Sequence, residues 1–69
     1  MMNFALLAKS CGKPKDVSNG KIKGYVYSFG SRVRYECNEG YKRNGPAYRI
    51  CQANQKWGDR DPTCEGRVQ

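Results

Sequence analysis

Two stretches of this chain alternate cleanly between apolar and polar residues, and elsewhere the pattern breaks every few positions. Tyr25, Tyr27 and Phe29 alternate with Val26 and Ser28. Beyond Gly30-Ser31, Val33, Tyr35 and Cys37 alternate with Arg32, Arg34 and Glu36. A period of two predicts strands with one face in a core and the other in water. Shorter strands are predicted at Lys21–Lys23, Ala47–Cys51 and Gln55–Trp57. Helical periodicity is absent. Turn residues divide the strands at Asn19-Gly20, Asn38-Glu39-Gly40 and Asn44-Gly45-Pro46. Pro62 disfavours helical backbone at Asp61 and so predicts an extended approach to Cys64. The predicted core is Tyr27, Phe29, Val33, Tyr35 and Trp57, with Tyr25 on the same stripe. Tyr41 and Tyr48 are predicted to be partly exposed. The fold class is small and all-β, built from short antiparallel strands.

Length changes how that core is read. A chain of 69 residues with 38% hydrophobic content has room for one domain and a marginal core. A staple is therefore expected. Four cysteines supply it: Cys11, Cys37, Cys51 and Cys64, separated by 25, 13 and 12 residues. The close Cys pairs of a structural zinc site or a redox motif are missing. Two disulfides are expected, and hence an oxidising, extracellular setting. The spacing leaves three connectivities open.

The residues outside the cysteines read differently from those between them. Residues 1–10 contain a short apolar run, Phe4–Ala8, without the basic start or longer apolar stretch of a secretory signal. They are read as a non-module N-terminal segment, a leading or linker stretch, with a short anchor as the sharper alternative. Residues 11–64 form the module, and residues 65–69 a linker or tail. No stretch is long and apolar enough for a transmembrane helix.

Between Cys11 and Cys64 the landmarks fall in a distinctive order. Cys11-Gly12-Lys13-Pro14 is followed by Asn19-Gly20, then Phe29-Gly30-Ser31 and Val33-Arg34-Tyr35-Glu36-Cys37. Asn38-Glu39-Gly40-Tyr41, Gly45, Cys51, Trp57 and Pro62-Thr63-Cys64 complete it. Together they resemble the complement control protein module, also called the sushi domain or short consensus repeat. The resemblance implies pairing of Cys11 with Cys51 and of Cys37 with Cys64. It also implies an elongated β module with its termini at opposite ends, commonly strung in tandem. The function it implies is a non-catalytic, extracellular protein-binding or spacer module of a complement-related or other multi-module protein, secreted or on a cell surface. One departure stands out. The family's glycine shortly before its tryptophan is replaced here by Gln55-Lys56, which predicts a local change in that turn.

Charge adds a second candidate chemistry. The chain carries 13 Lys+Arg against 6 Asp+Glu, a net charge of +7, and no histidine. Without histidine, Ser–His and Cys–His nucleophile pairs are excluded, and the scattered acids suggest no paired carboxylates. Neither a catalytic site, a metal site nor a cofactor is expected. Lys21 and Lys23 flank Ile22, and Arg32 and Arg34 flank Val33, so all four are expected to point outward. With Lys42 and Arg43 they are the candidate polyanion-binding residues, for a glycosaminoglycan, an anionic lipid or lipopolysaccharide. A solvated, solubilising face is the plainer alternative, and a free-standing cationic host-defence peptide a third. Nucleic acid is not an expected partner, since no nucleic-acid motif accompanies the charge. No N-x-Ser/Thr glycosylation acceptor occurs.

Overall fold

The computed structural model describes residues 9–66, so the readings of Phe4–Ala8 and of residues 67–69 lie outside the described residues. Five strands follow in order: β1 Gly20–Lys23, β2 Arg32–Cys37, β3 Tyr41–Asn44, β4 Tyr48–Ile50 and β5 Thr63–Gly66. They form two antiparallel sheets, one ordered β1-β2-β4 and the other pairing β3 with β5. The trace is elongated, with extents of 59 × 18 × 13 Å.

Strand β2 organises the larger sheet because its alternation is uninterrupted. Val33 and Tyr35 are buried while Arg32 and Arg34 are exposed. In β1, Ile22 lies opposite Tyr35 and shares its inward face. Strand β1 can begin where it does only because residue 20 is glycine. A Cβ there would stand 2.5 Å from the Glu36 carbonyl oxygen and 2.8 Å from Cys64 Sγ. The turn before it holds Asn19 at a φ of 62°, a backbone conformation that asparagine tolerates better than most residues.

Two disulfides do the work of a larger core. Cys11 joins Cys51 and Cys37 joins Cys64, closing separations of 40 and 27 residues. The first ties the entering chain to the end of β4, and the second ties the end of β2 to β5. Loop-closure entropy assigns them about 4 and about 3.5 kcal/mol. That matches the entire stability expected of a domain this small. Val33, Tyr35, Cys51 and Cys64 are the buried hydrophobic residues among those described.

Three expectations are corrected. Tyr25–Phe29 is not a strand but a loop between β1 and β2, joined to the entering chain by an isolated bridge from Ser28 to Ser10 and its flanking hydrogen bonds. Gly24, at a φ of 126°, breaks the strand before it. Within that loop Tyr27 turns inward and packs edge-on against Trp57, with ring centroids 6.2 Å apart. Phe29 is not core. It occupies the corner of a turn closed by the Ser31 N–H on the Ser28 carbonyl and is 55% exposed, and Tyr25 is more exposed still. Gln55–Trp57 is a turn, closed by hydrogen bonds between Gln52 and both Lys56 and Gln55, and only Trp57 bridges back to Cys51. Of residues 65–69, Glu65 and Gly66 continue β5 opposite Lys42 and Tyr41.

Trp57 is half-buried beside the first disulfide, and its indole N–H donates to the Gly12 carbonyl at 3.0 Å. That bond spans 45 residues and ties the closing half of the chain to its opening.

Candidate functional site

Strand pairing decides which side chains share the outer face of the larger sheet. Lys21 stands opposite Glu36, Lys23 opposite Arg34, Arg34 opposite Tyr48 and Arg32 opposite Ile50. Side chains directly across an antiparallel pair project from the same face. The face therefore carries Lys21 and Lys23 from β1, Arg32, Arg34 and Glu36 from β2, and Tyr48 and Ile50 from β4.

The contacts within it are specific. The Arg32 guanidinium carbon lies 4.4 Å from the centroid of the Tyr48 ring, and that of Arg34 lies 6.0 Å away. Such cation–π contacts contribute about 0.5–1 kcal/mol at exposed sites. Glu36 Oε2 forms ion pairs with Lys23 Nζ at 3.3 Å and with Arg34 Nε at 3.7 Å. Among the described residues, no carboxylate lies within ion-pair distance of Lys21 or Arg32. Tyr48 and Ile50 are 44% and 51% exposed, so apolar surface borders the charge.

Four of the six candidate polyanion residues thus share one face: Lys21, Lys23, Arg32 and Arg34. The other two do not join them. Lys42 and Arg43 lie on β3 in the second sheet, Lys42 opposite Glu65 and Arg43 opposite Cys64. Arg43 Nε donates to the Gly45 carbonyl at 3.1 Å.

Sequence reasoning expected a strand within Ala47–Cys51 and a partly exposed Tyr48, but it did not place Tyr48 and Ile50 on this face, because alternation alone does not say which side of a strand faces the core. In the structure Arg49 points inward beside Val33, its side chain only 10% exposed. It donates through Nε to the Gly58 carbonyl at 2.8 Å. Its terminal nitrogens reach the carbonyls of Trp57 at 3.1 Å and Asp59 at 3.3 Å, and also bond the Asp61 carboxylate. A planar fork of N–H donors suits this cluster of acceptors. Facing Arg49 inward obliges its strand neighbours to face out.

All four cysteines are in disulfides. Among the described residues, no group of three or more Cys, Asp or Glu side chains is placed to hold a metal ion. The outer face is an open surface, cationic on β1 and β2 and apolar along β4.

Comparison with known proteins gives this surface a context. A family model described as the Sushi repeat (SCR repeat) matches residues 11–64. The chain is 44% identical over 55 residues to the sushi, von Willebrand factor type A, EGF and pentraxin domain-containing protein 1 of Rattus norvegicus, covering 80% of this chain and 2% of that protein. It is 36% identical over 67 residues to the C4b-binding protein alpha chain of Rattus norvegicus, covering 91% of this chain and 12% of that one. It is 40% identical over 57 residues to complement control protein C3 of Vaccinia virus (strain Western Reserve), covering 80% of this chain and 21% of that one. The chain therefore spans between 2% and 21% of the length of these relatives.

Proposed function

The chain belongs to the Sushi repeat family, and on that premise we propose that it is a non-catalytic, extracellular protein-binding and spacer module, acting within a complement-related multi-module protein. The observation that carries this reading is the outer face of the β1-β2-β4 sheet. Arginine and tyrosine are the residue types enriched at binding hot spots. Here Arg32, Arg34 and Tyr48 share one face of a sheet whose backbone two disulfides fix in place. A face already rigid before contact loses little conformational freedom on binding.

One further feature supports the setting: both disulfides are formed, and paired cysteines persist in oxidising compartments. Among the described residues, no helix is long and apolar enough to cross a membrane.

The relative named C4b-binding protein suggests the probe. The oxidised chain, immobilised through its C-terminus, should bind C4b saturably at physiological salt. Replacing Arg32 and Tyr48 together with alanine should weaken that binding without changing the melting temperature of the module. A flat response to C4b up to about 100 μM, where even weak specific complexes are detected, would remove the complement-directed reading.

A further inference from the structure

We infer that the outer face of the β1-β2-β4 sheet takes an acidic, aromatic- or aliphatic-bearing segment of a partner protein, with carboxylates at Arg32 and Lys21 and the apolar side chain over Tyr48 and Ile50. This deepens the protein-binding reading and rests on it.

Charge complementarity selects the sign of the partner. The face holds four cations and one carboxylate, Glu36. Glu36 already engages Lys23 and Arg34. Lys21 and Arg32 are left without a carboxylate partner among the described residues. Arg32 is the better prepared of the two. Its guanidinium rests 4.4 Å from the Tyr48 ring centroid, which holds the plane while leaving its N–H edges to meet a carboxylate two at a time.

The apolar half selects the class of partner. Tyr48 and Ile50 lie directly across from Arg34 and Arg32, each about half exposed. A sulfated glycan offers charge without apolar groups and would leave both uncovered. The one carboxylate of the face, Glu36, stands across from Lys21 at the end of β2 and pairs with Lys23 and Arg34, which shortens the run of free cations a linear polyanion could follow. Lys42 and Arg43, which would lengthen a track for a linear polyanion, lie on the other sheet. A protein segment mixing Asp or Glu with Tyr or Leu covers both the charged and the apolar half of the face.

The test uses the full oxidised chain and two fluorescent peptides of equal charge, one of Glu and Asp interspersed with Tyr and Leu, the other with Gly at those positions. Heparin oligosaccharide serves as the competitor class. The Tyr/Leu peptide should bind, and Arg32→Glu should weaken it about tenfold, as expected for reversing one charge in a complementary contact. Tyr48→Ala should weaken it about fivefold, and the Gly peptide should bind the wild type about fivefold more weakly, both as lost apolar contact. Lys42→Glu with Arg43→Glu should shift it less than about twofold, since exposed charges off the face act only through screened, long-range attraction. Near-UV circular dichroism of Trp57 verifies that each variant is folded. Equal binding of the two peptides, indifference to Tyr48→Ala, or heparin binding insensitive to Tyr48→Ala and tighter than either peptide would overturn the inference. So would failure of the Tyr/Leu peptide to bind at about 1 mM. C4b binding that survives both Arg32→Glu and Tyr48→Ala would overturn this face while leaving the protein-binding reading standing.

Discussion

Arg49 donates to the Gly58 carbonyl at 2.8 Å from the inner face of β4. That bond, with those to Trp57, Asp59 and Asp61, makes one side chain the fastener of the segment that leads into β5. Arg49→Lys keeps the charge and loses the fork. It should destabilise the module by about 2 kcal/mol, because several charge-assisted bonds to carbonyls cannot all be remade by one ammonium. For a chain of this size that is a fall of roughly 8–16 °C in melting temperature. A melting temperature within a degree or two of wild type would show that the fork is dispensable.

Tyr35 presents the opposite case. Its ring fills the core, yet its hydroxyl is buried without a hydrogen-bond partner among the described residues. An unpaired buried hydroxyl costs about 1–3 kcal/mol. Tyr35→Phe should therefore raise stability by about 1 kcal/mol, read as a higher urea midpoint at unchanged slope. A lower midpoint would reveal a partner for the hydroxyl, such as an ordered water.

Gln55 sits at a φ of 66°, at the turn where the family's glycine is missing. The left-handed backbone costs a residue with a Cβ about 1–2 kcal/mol, and the extra freedom of glycine when unfolded offsets about 0.5–1 kcal/mol of any relief. Gln55→Gly should thus be neutral to stabilising by about 1 kcal/mol. A β-branched residue is the worst fit there, so Gln55→Val should melt lowest of the three. Any other order in thermal melts would mean that the turn is held by something besides its backbone preference.

Reduction should unfold the module. The two crosslinks contribute about 7.5 kcal/mol together in the loop-entropy estimate, and few side chains are buried to replace them. In dithiothreitol the near-UV circular dichroism of Trp57 should collapse, since its ring packs on Tyr27, its indole N–H is held by Gly12 next to Cys11, and its backbone bridges to Cys51. Retention of that signal after complete thiol labelling would contradict the idea that the crosslinks carry the fold.

How far the sequence could be read depended on how local the determining contact was. Strand β2 was legible because every second residue from Arg32 to Cys37 changes character. The outward direction of Lys21, Lys23, Arg32 and Arg34 followed from the same alternation. The loop at Tyr25–Phe29 was misread because alternation reports a period without reporting a partner strand. Here Gly24 ends β1, and only Ser28 finds a bridge. Strand β4 was expected within Ala47–Cys51, but which of its sides faces outward was not legible. Its direction is set by Arg49 meeting acceptors 8 to 12 residues later, a contact that no window centred on Tyr48 contains. The pairing of the cysteines came through family resemblance, because spacing alone left three choices. The meeting of Arg32 with Tyr48 depends on cross-strand register and was invisible before the sheet was built.

The scarcity of interior positions has a consequence for how such a chain can change over generations. Beyond two crosslinks, the fold commits a handful of side chains, chiefly Val33 and Tyr35, to holding itself together. Most other positions face water, where substitutions usually shift stability by no more than about 0.5 kcal/mol. Selection can therefore rewrite the surface almost residue by residue while the scaffold persists. A unit of this kind acquires new recognition cheaply, and its exposed residues record what it has been selected to meet far more faithfully than its interior does.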